Sequence, residues 1–137
     1  MLVLYFLVRP LHPIAHGIDI VEPARIAALL SRHPQRAPAR LFTQAELGYA
    51  MGTAREAEHL AARFAAKEAV FKALGTGWSR GISWTDIQIT RAPSGQPGIE
   101  LSGEAAAIAE SLGISCWLLS LSHISTLAIA SVIGLGH

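Results

Sequence analysis

A single cysteine, Cys116, leaves this chain no intrachain disulfide and no CxxC metal site. It lies in the apolar run Ser115-Cys116-Trp117-Leu118-Leu119, where a buried structural thiol is expected rather than a nucleophile. Charge is also scarce: only 15% of residues are Asp, Glu, Lys or Arg, against 51% hydrophobic ones, which excludes a disordered tail or a coiled coil. The formal net charge of +1 carries no global signal for nucleic acid or an anionic membrane. Any acidic partner must therefore meet a local basic patch. The apolar opening Met1 to Val8 is too short to cross a bilayer, and it lacks the basic start and small-residue cleavage site of a signal peptide. We expect a cytoplasmic protein with residues 1–13 as an N-terminal apolar extension, an extra strand or a segment lying on the domain. So apolar a composition in a small chain implies that some of its surface is covered by another subunit.

What is present reads as one domain, residues 14–137, with its own hydrophobic core. Ile14 to Val21 has strand character, with Gly17 allowing close backbone approach. Pro23 suits the first turn of a helix through Arg25, Ile26, Leu29 and Leu30, and His33-Pro34 and Ala37-Pro38 are expected to break it. Thr43 caps a short helix, with Glu46 completing a capping box. A long helix is expected from about Ala54 to Leu74, stopped by Gly75-Thr76-Gly77. Trp84 to Thr90 reads as a strand, followed by a turn at 94–98 and a short strand through Ile99 and Leu101. Gly103 to Leu112 forms an Ala-rich helix, and two strands, Cys116 to Ser122 and Leu127 to Ile133, close the chain. Strands and helices mix without regular βαβ alternation, so the fold class is α+β.

The charged residues on the long helix are the informative ones. Leu60, Phe64, Phe71 and Leu74 define one apolar face, and alanines occupy most of the remaining circumference. A surface helix would carry a continuous charged stripe. Here only Arg63, Lys67, Glu68 and Lys72 interrupt the run from Leu60 to Leu74. Glu68 and Lys72 are spaced for an i,i+4 salt bridge worth roughly 0.2–0.5 kcal/mol, or for a carboxylate and an ammonium held in a cleft. Asp19 is an acid within the apolar strand Gly17-Ile18-Asp19-Ile20-Val21, costly to bury unless it is paired or metal-bound. It could cap the following helix. Together with Glu68 it could form a two-carboxylate magnesium site, since Mg²⁺ takes one or two protein carboxylates, waters and phosphate oxygens. His123 closes a strand, where a histidine is either a structural hydrogen-bonding group or a catalytic one. Gly75-Thr76-Gly77 is a helix stop that lacks the lysine and spacing of a Walker A loop, although its backbone N–H groups could approach an anion.

Taken together, these segments resemble the holo-acyl-carrier-protein synthases, the small bacterial-type 4′-phosphopantetheinyl transferases. Gly17-Ile18-Asp19-Ile20-Val21-Glu22 with Arg25-Ile26 is similar to that family's N-terminal motif. Arg63-Phe64-Ala65-Ala66-Lys67-Glu68-Ala69 with Lys72-Ala73-Leu74-Gly75-Thr76-Gly77 resembles its central signature almost residue for residue. Phe42 and Glu46, Trp84 to Ile87, Gly95 and Pro97, Ser120 to His123, and Ala128, Ala130 and Val132 extend the resemblance in order to Val132.

The resemblance implies a single-domain fold with a mixed or antiparallel sheet packed on the long central helix. It implies transfer of 4′-phosphopantetheine from coenzyme A to a serine of apo-acyl carrier protein, with 3′,5′-ADP leaving, in fatty-acid or polyketide biosynthesis. Asp19 and Glu68 would ligate Mg²⁺, Glu68 would remove the serine proton and Lys72 would stabilise the pyrophosphate. Arg63, Lys72, Gly75, Thr76, Ser122 and His123 would shape the coenzyme A site. Arg25 and Arg32, one heptad apart on the first helix, would dock the acidic carrier; Arg36 and Arg40 are weaker matches because the resemblance loosens beyond Pro34. A homotrimer with active sites at subunit interfaces is implied, with no nucleic-acid or membrane partner. Two other kinds of function remain: a binding module that only recognises coenzyme A or a carrier, and a purely structural oligomerisation domain. Retention of Asp19, Glu68 and Lys72 together argues against both.

Overall fold

The computed structural model describes residues 9–77 and 81–137, so the apolar opening at 1–8 lies outside the described residues. Strand β1 (His12–Val21) begins two residues before the expected strand, and helix α1 (Pro23–Arg32) follows directly. Pro23 opens α1 at a position whose missing N–H has no intrahelical acceptor to lose. Helix α2 (Arg36–Leu41) occupies the stretch where Ala37-Pro38 was expected to act only as a breaker. Pro38 is tolerated because it sits in the first turn of α2, where backbone donors have no intrahelical partner.

Helix α3 (Gln44–Ala50) starts with the expected capping box: Thr43 N–H donates to Glu46 Oε1 at 2.8 Å, and Glu46 N–H donates to Thr43 Oγ1 at 3.3 Å. The long helix α4 (Glu56–Leu74) ends at Gly75, whose φ of 74° is left-handed, a conformation that glycine adopts without a Cβ penalty. Trp84–Asp86 is a 3₁₀ turn rather than the start of a strand. The Ser83 and Asp86 side chains form a local capping box there, and strand β2 (Ile87–Arg91) begins only afterwards. Strand β3 (Pro97–Leu101), helix α5 (Gly103–Ser111) and strands β4 (Cys116–His123) and β5 (Ala128–Gly136) complete the chain.

The expected α+β class is observed. Among the described residues, two antiparallel sheets form, a three-stranded one in the order β1-β5-β4 and the β2-β3 hairpin. Helix α4 lies across the larger sheet as the centre of the core. Leu60, Val70, Phe71 and Leu74 are buried along it, and Phe64 and Phe71 flank Trp84 at ring-centroid distances of 4.9 Å. Each such side chain contributes roughly 1.5–3 kcal/mol on burial. The alanines of α4 face Val21, Ala128, Ala130 and Val132, so small residues meet small residues and the helix seats close to the sheet. Pleating alternates every residue, which puts Asp19 on the helix-facing side of β1 and leaves Ile18 and Ile20 exposed on the other.

Candidate active site

Asp19, Glu68, Lys72 and Arg25 come together where β1, α1 and α4 meet. Lys72 reaches across to β1, not along its own helix: its Nζ lies 2.9 Å from Asp19 Oδ1 and donates to the Ile18 carbonyl at 2.9 Å. The local i,i+4 pairing with Glu68 is therefore not the interaction that forms. Side-chain exposure is 54% for Lys72 and 16% for Asp19, so the ammonium faces solvent while the carboxylate is mostly covered. Burial pushes the Glu68 carboxyl above its ordinary range, and the nearby Asp19 charge adds to that, while Lys72 and Arg25 pull the other way. Two neighbouring carboxylates, with Glu68 partly desolvated and made costlier to ionise by Asp19, make a donor set suited to a hard divalent cation.

A second cluster forms near the start of α4. His123 Nδ1 lies 2.9 Å from Glu58 Oε2, and the His123 ring stands edge-on to His59 with centroids 6.0 Å apart. Tyr49 contacts His59 in the same manner at 5.4 Å. The Arg63 guanidinium lies 4.4 Å above the Tyr49 ring, and Arg91 donates to the Tyr49 hydroxyl at 2.6 Å. Arg63 is only 5% exposed; its Nη1 donates to the His59 carbonyl, but its Nε is buried without a partner. Burial lowers the His59 pKa most, Arg63, His123 and Arg91 lower it further, and Glu58 opposes them. The cluster gathers two arginines and two histidines around one acid, Glu58.

Of the residues expected from sequence, Arg63 and His123 enter this second cluster, while Asp19, Glu68 and Lys72 form the first. Gly75 and Thr76 follow Lys72 at the C-terminal end of α4, twelve and thirteen residues beyond Arg63, roughly 18 Å along a helix axis. Ser122 points away from both clusters, on the outer face of the sheet in a row with Ile20 and Ile129. Arg25 and Arg32 are exposed on α1. Tyr49, His59 and Arg91 were not expected; the only local signal was the four-residue spacing of His59 and Arg63 on one helix face.

A groove of about 760 Å³ runs between α1 and α2, lined by Leu29, His33, Arg36, Ala37, Ala39, Arg40, Leu41 and Trp84. Its floor is apolar and its rim basic.

The family model of the 4′-phosphopantetheinyl transferase superfamily matches residues 15–127. A holo-[acyl-carrier-protein] synthase of Koribacter versatilis is 46% identical over 117 residues, covering 85% of this chain and 94% of the relative. Among solved structures, the holo-[acyl-carrier-protein] synthase of Neisseria meningitidis superposes with a TM-score of 0.80 at 34% identity, covering 90% of this chain and 98% of that one. The Helicobacter pylori synthase, solved in complex with coenzyme A, gives 0.77 at 33% identity over 87% of this chain and 98% of its own. With its Asp19–Lys72 pair beside Glu68 and a match over most of its length, this chain belongs to the 4′-phosphopantetheinyl transferase superfamily, among the holo-acyl-carrier-protein synthases.

Proposed function

We propose that this protein transfers 4′-phosphopantetheine from coenzyme A to a serine of an apo-acyl carrier protein, with Mg²⁺ as cofactor and 3′,5′-ADP as the second product. The observation that carries this reading is the convergence of Asp19, Glu68 and Lys72 in a chain of this family. The serine oxygen forms a bond to the β-phosphorus of coenzyme A as the bond from that phosphorus to the bridging oxygen breaks. Glu68 accepts the serine proton and passes it to solvent. Lys72, half exposed yet held by Asp19 and the Ile18 carbonyl, supplies a fixed positive charge to the leaving 3′,5′-ADP. Asp19 and Glu68 would hold Mg²⁺, whose chemistry there is to neutralise the pyrophosphate. Arg63 and His123, with Tyr49, His59 and Arg91 around them, fit the nucleotide end of coenzyme A. Gly75, Thr76 and Ser122 would complete its site.

Arg25 and Arg32 would meet the acidic carrier, and the adjoining apolar groove with its basic rim would seat it. The outer face of the large sheet exposes Ile18, Ile20, Leu118 and Ile129, an apolar patch suited to a subunit interface. Burying it in a homotrimer would bring Ser122 of one subunit to the edge of the next, so that active sites lie between subunits. Residues 14–137 would form the transferase domain and 1–13 an extension of it. No described helix is long and apolar enough to cross a membrane; a cytoplasmic role in fatty-acid or polyketide synthesis is part of the same proposal. Incubation with apo-carrier, coenzyme A and Mg²⁺ tests it: the carrier should gain the mass of one phosphopantetheine, and no gain with any carrier of a broad panel overturns it.

A further inference from the structure

Lys67 and Glu46 form an ion pair of 2.7 Å in which both side chains are completely buried. All three ammonium protons have acceptors: Glu46 Oε1, the Leu41 carbonyl at 2.8 Å and the Trp84 carbonyl at 3.1 Å. Glu46 is equally engaged, accepting from Thr43 N–H on one oxygen and from Ile89 N–H at 2.9 Å on the other. One pair thus ties together the end of α2, the start of α3, the middle of α4, the 3₁₀ turn and β2. Net stability is a weak explanation for it, because desolvation offsets much of the attraction and an apolar pair of similar volume often serves as well. An apolar pair, however, could not hold two carbonyls in fixed directions.

The two carbonyls that Lys67 grips belong to Leu41 and Trp84, and both residues line the α1–α2 groove. The next residue on α4 is Glu68. A turn of about 100° per residue sends Lys67 into the interior and Glu68 toward Asp19 and Arg25. A single backbone link therefore separates the group that holds the groove wall from the carboxylate assigned to the serine proton.

We propose that the buried Lys67–Glu46 pair is a positioning unit for the transfer step, holding the groove wall at Leu41 and Trp84 in fixed relation to Glu68 so that a carrier seated in the groove presents its serine there. This rests on the proposed function above, in which the carrier docks on α1 and the groove. Neither Lys67 nor Glu46 touches substrate; both act through Glu68 and the groove wall.

The double variant Lys67→Met/Glu46→Gln removes both charges at near-constant volume and tests the idea. Thermal unfolding is measured first, and then steady-state kinetics well below the transition, varying carrier and coenzyme A in turn. We expect the coenzyme A KM to stay within about twofold while kcat/KM for the carrier falls about ten- to hundredfold, as misplacement of reacting groups by an ångström does. A folded double variant with wild-type carrier kinetics overturns the inference, as does a rise in the coenzyme A KM as large as the loss toward the carrier. Should the double variant not fold, Lys67→Arg decides by the same kinetic split. It keeps the charge pair but replaces a compact ammonium with a planar fork that cannot hold both carbonyls in the same way. Absence of transfer by the wild-type protein would instead reject the proposed function itself.

Discussion

Gly17 of β1 lies so close beneath α4 that a Cβ built on it would overlap the Ala69 carbonyl oxygen and press on the Ala73 nitrogen. The contact is backbone against backbone, so no side-chain movement relieves it. It sets the spacing between the strand that carries Asp19 and the helix that carries Glu68 and Lys72.

Gly17→Ala should therefore harm both stability and transfer. Forcing one methyl into a close-packed interface costs about 1–3 kcal/mol, and more where backbone must move. We expect a lower unfolding midpoint in denaturant and a fall in kcat that persists under conditions where the variant is fully folded. Wild-type transfer in the folded variant would mean that the β1–α4 spacing does not govern the site.

Asp19→Asn and Glu68→Gln should separate chemistry from stability. The Lys72–Asp19 pair is partly exposed, and such pairs contribute about 0–1 kcal/mol, so the unfolding midpoint should barely change. Transfer should fall at least about a hundredfold, the scale of losing a general base or a charge-stabilising group, and most sharply at limiting Mg²⁺. Near-wild-type rates in either variant at low Mg²⁺ would remove that residue from the metal site.

Arg25→Glu or Arg32→Glu replaces attraction with repulsion toward an acidic carrier. The carrier KM should rise and kcat/KM fall, with the loss shrinking as salt is added, because exposed charges mainly steer encounter and are screened. Coenzyme A kinetics should hold for Arg32→Glu. Arg25 also bears electrostatically on Glu68, so Arg25→Glu should lower kcat as well. An unchanged carrier kcat/KM at low salt in both variants would reject the docking face.

Ile129→Asp places a charge at the centre of the exposed apolar face, in the row shared with Ile20 and Ser122. The variant should run as a monomer by light scattering and lose transfer, since burying an unpaired carboxylate in an interface costs several kcal/mol. A monomeric variant that retains full activity would exclude a site shared between subunits.

Much of the fold was legible because its signals are local. The Thr43–Glu46 capping box, the proline opening α1 and the left-handed glycine closing α4 each depend on residues within a few positions of one another. The misreadings are local signals with two outcomes. A proline in the first turn of a helix looks like a breaker, as at Pro38, and an apolar run led by Trp84 looks like a strand until Ser83 and Asp86 cap a 3₁₀ turn.

At the site, the residue types were legible and their partners were not. The scarcity of charge along α4 by itself singled out Arg63, Lys67, Glu68 and Lys72, and an acid in an apolar strand singled out Asp19. Which groups they meet was decided by packing over long sequence separations. Lys72 bonds to Asp19, 53 residues away, and not to Glu68 four residues away; Arg91 meets Tyr49 across 42; Glu46 serves Ile89 across 43 as well as its own helix cap. The sequence alone determined that charges on an otherwise apolar helix and strand must find partners, since burying them unpaired is prohibitive. Only the tertiary structure decided which partners, because α4 is apolar almost all round and its seat on the sheet depends on small residues such as Gly17 and Ala69 meeting at close range.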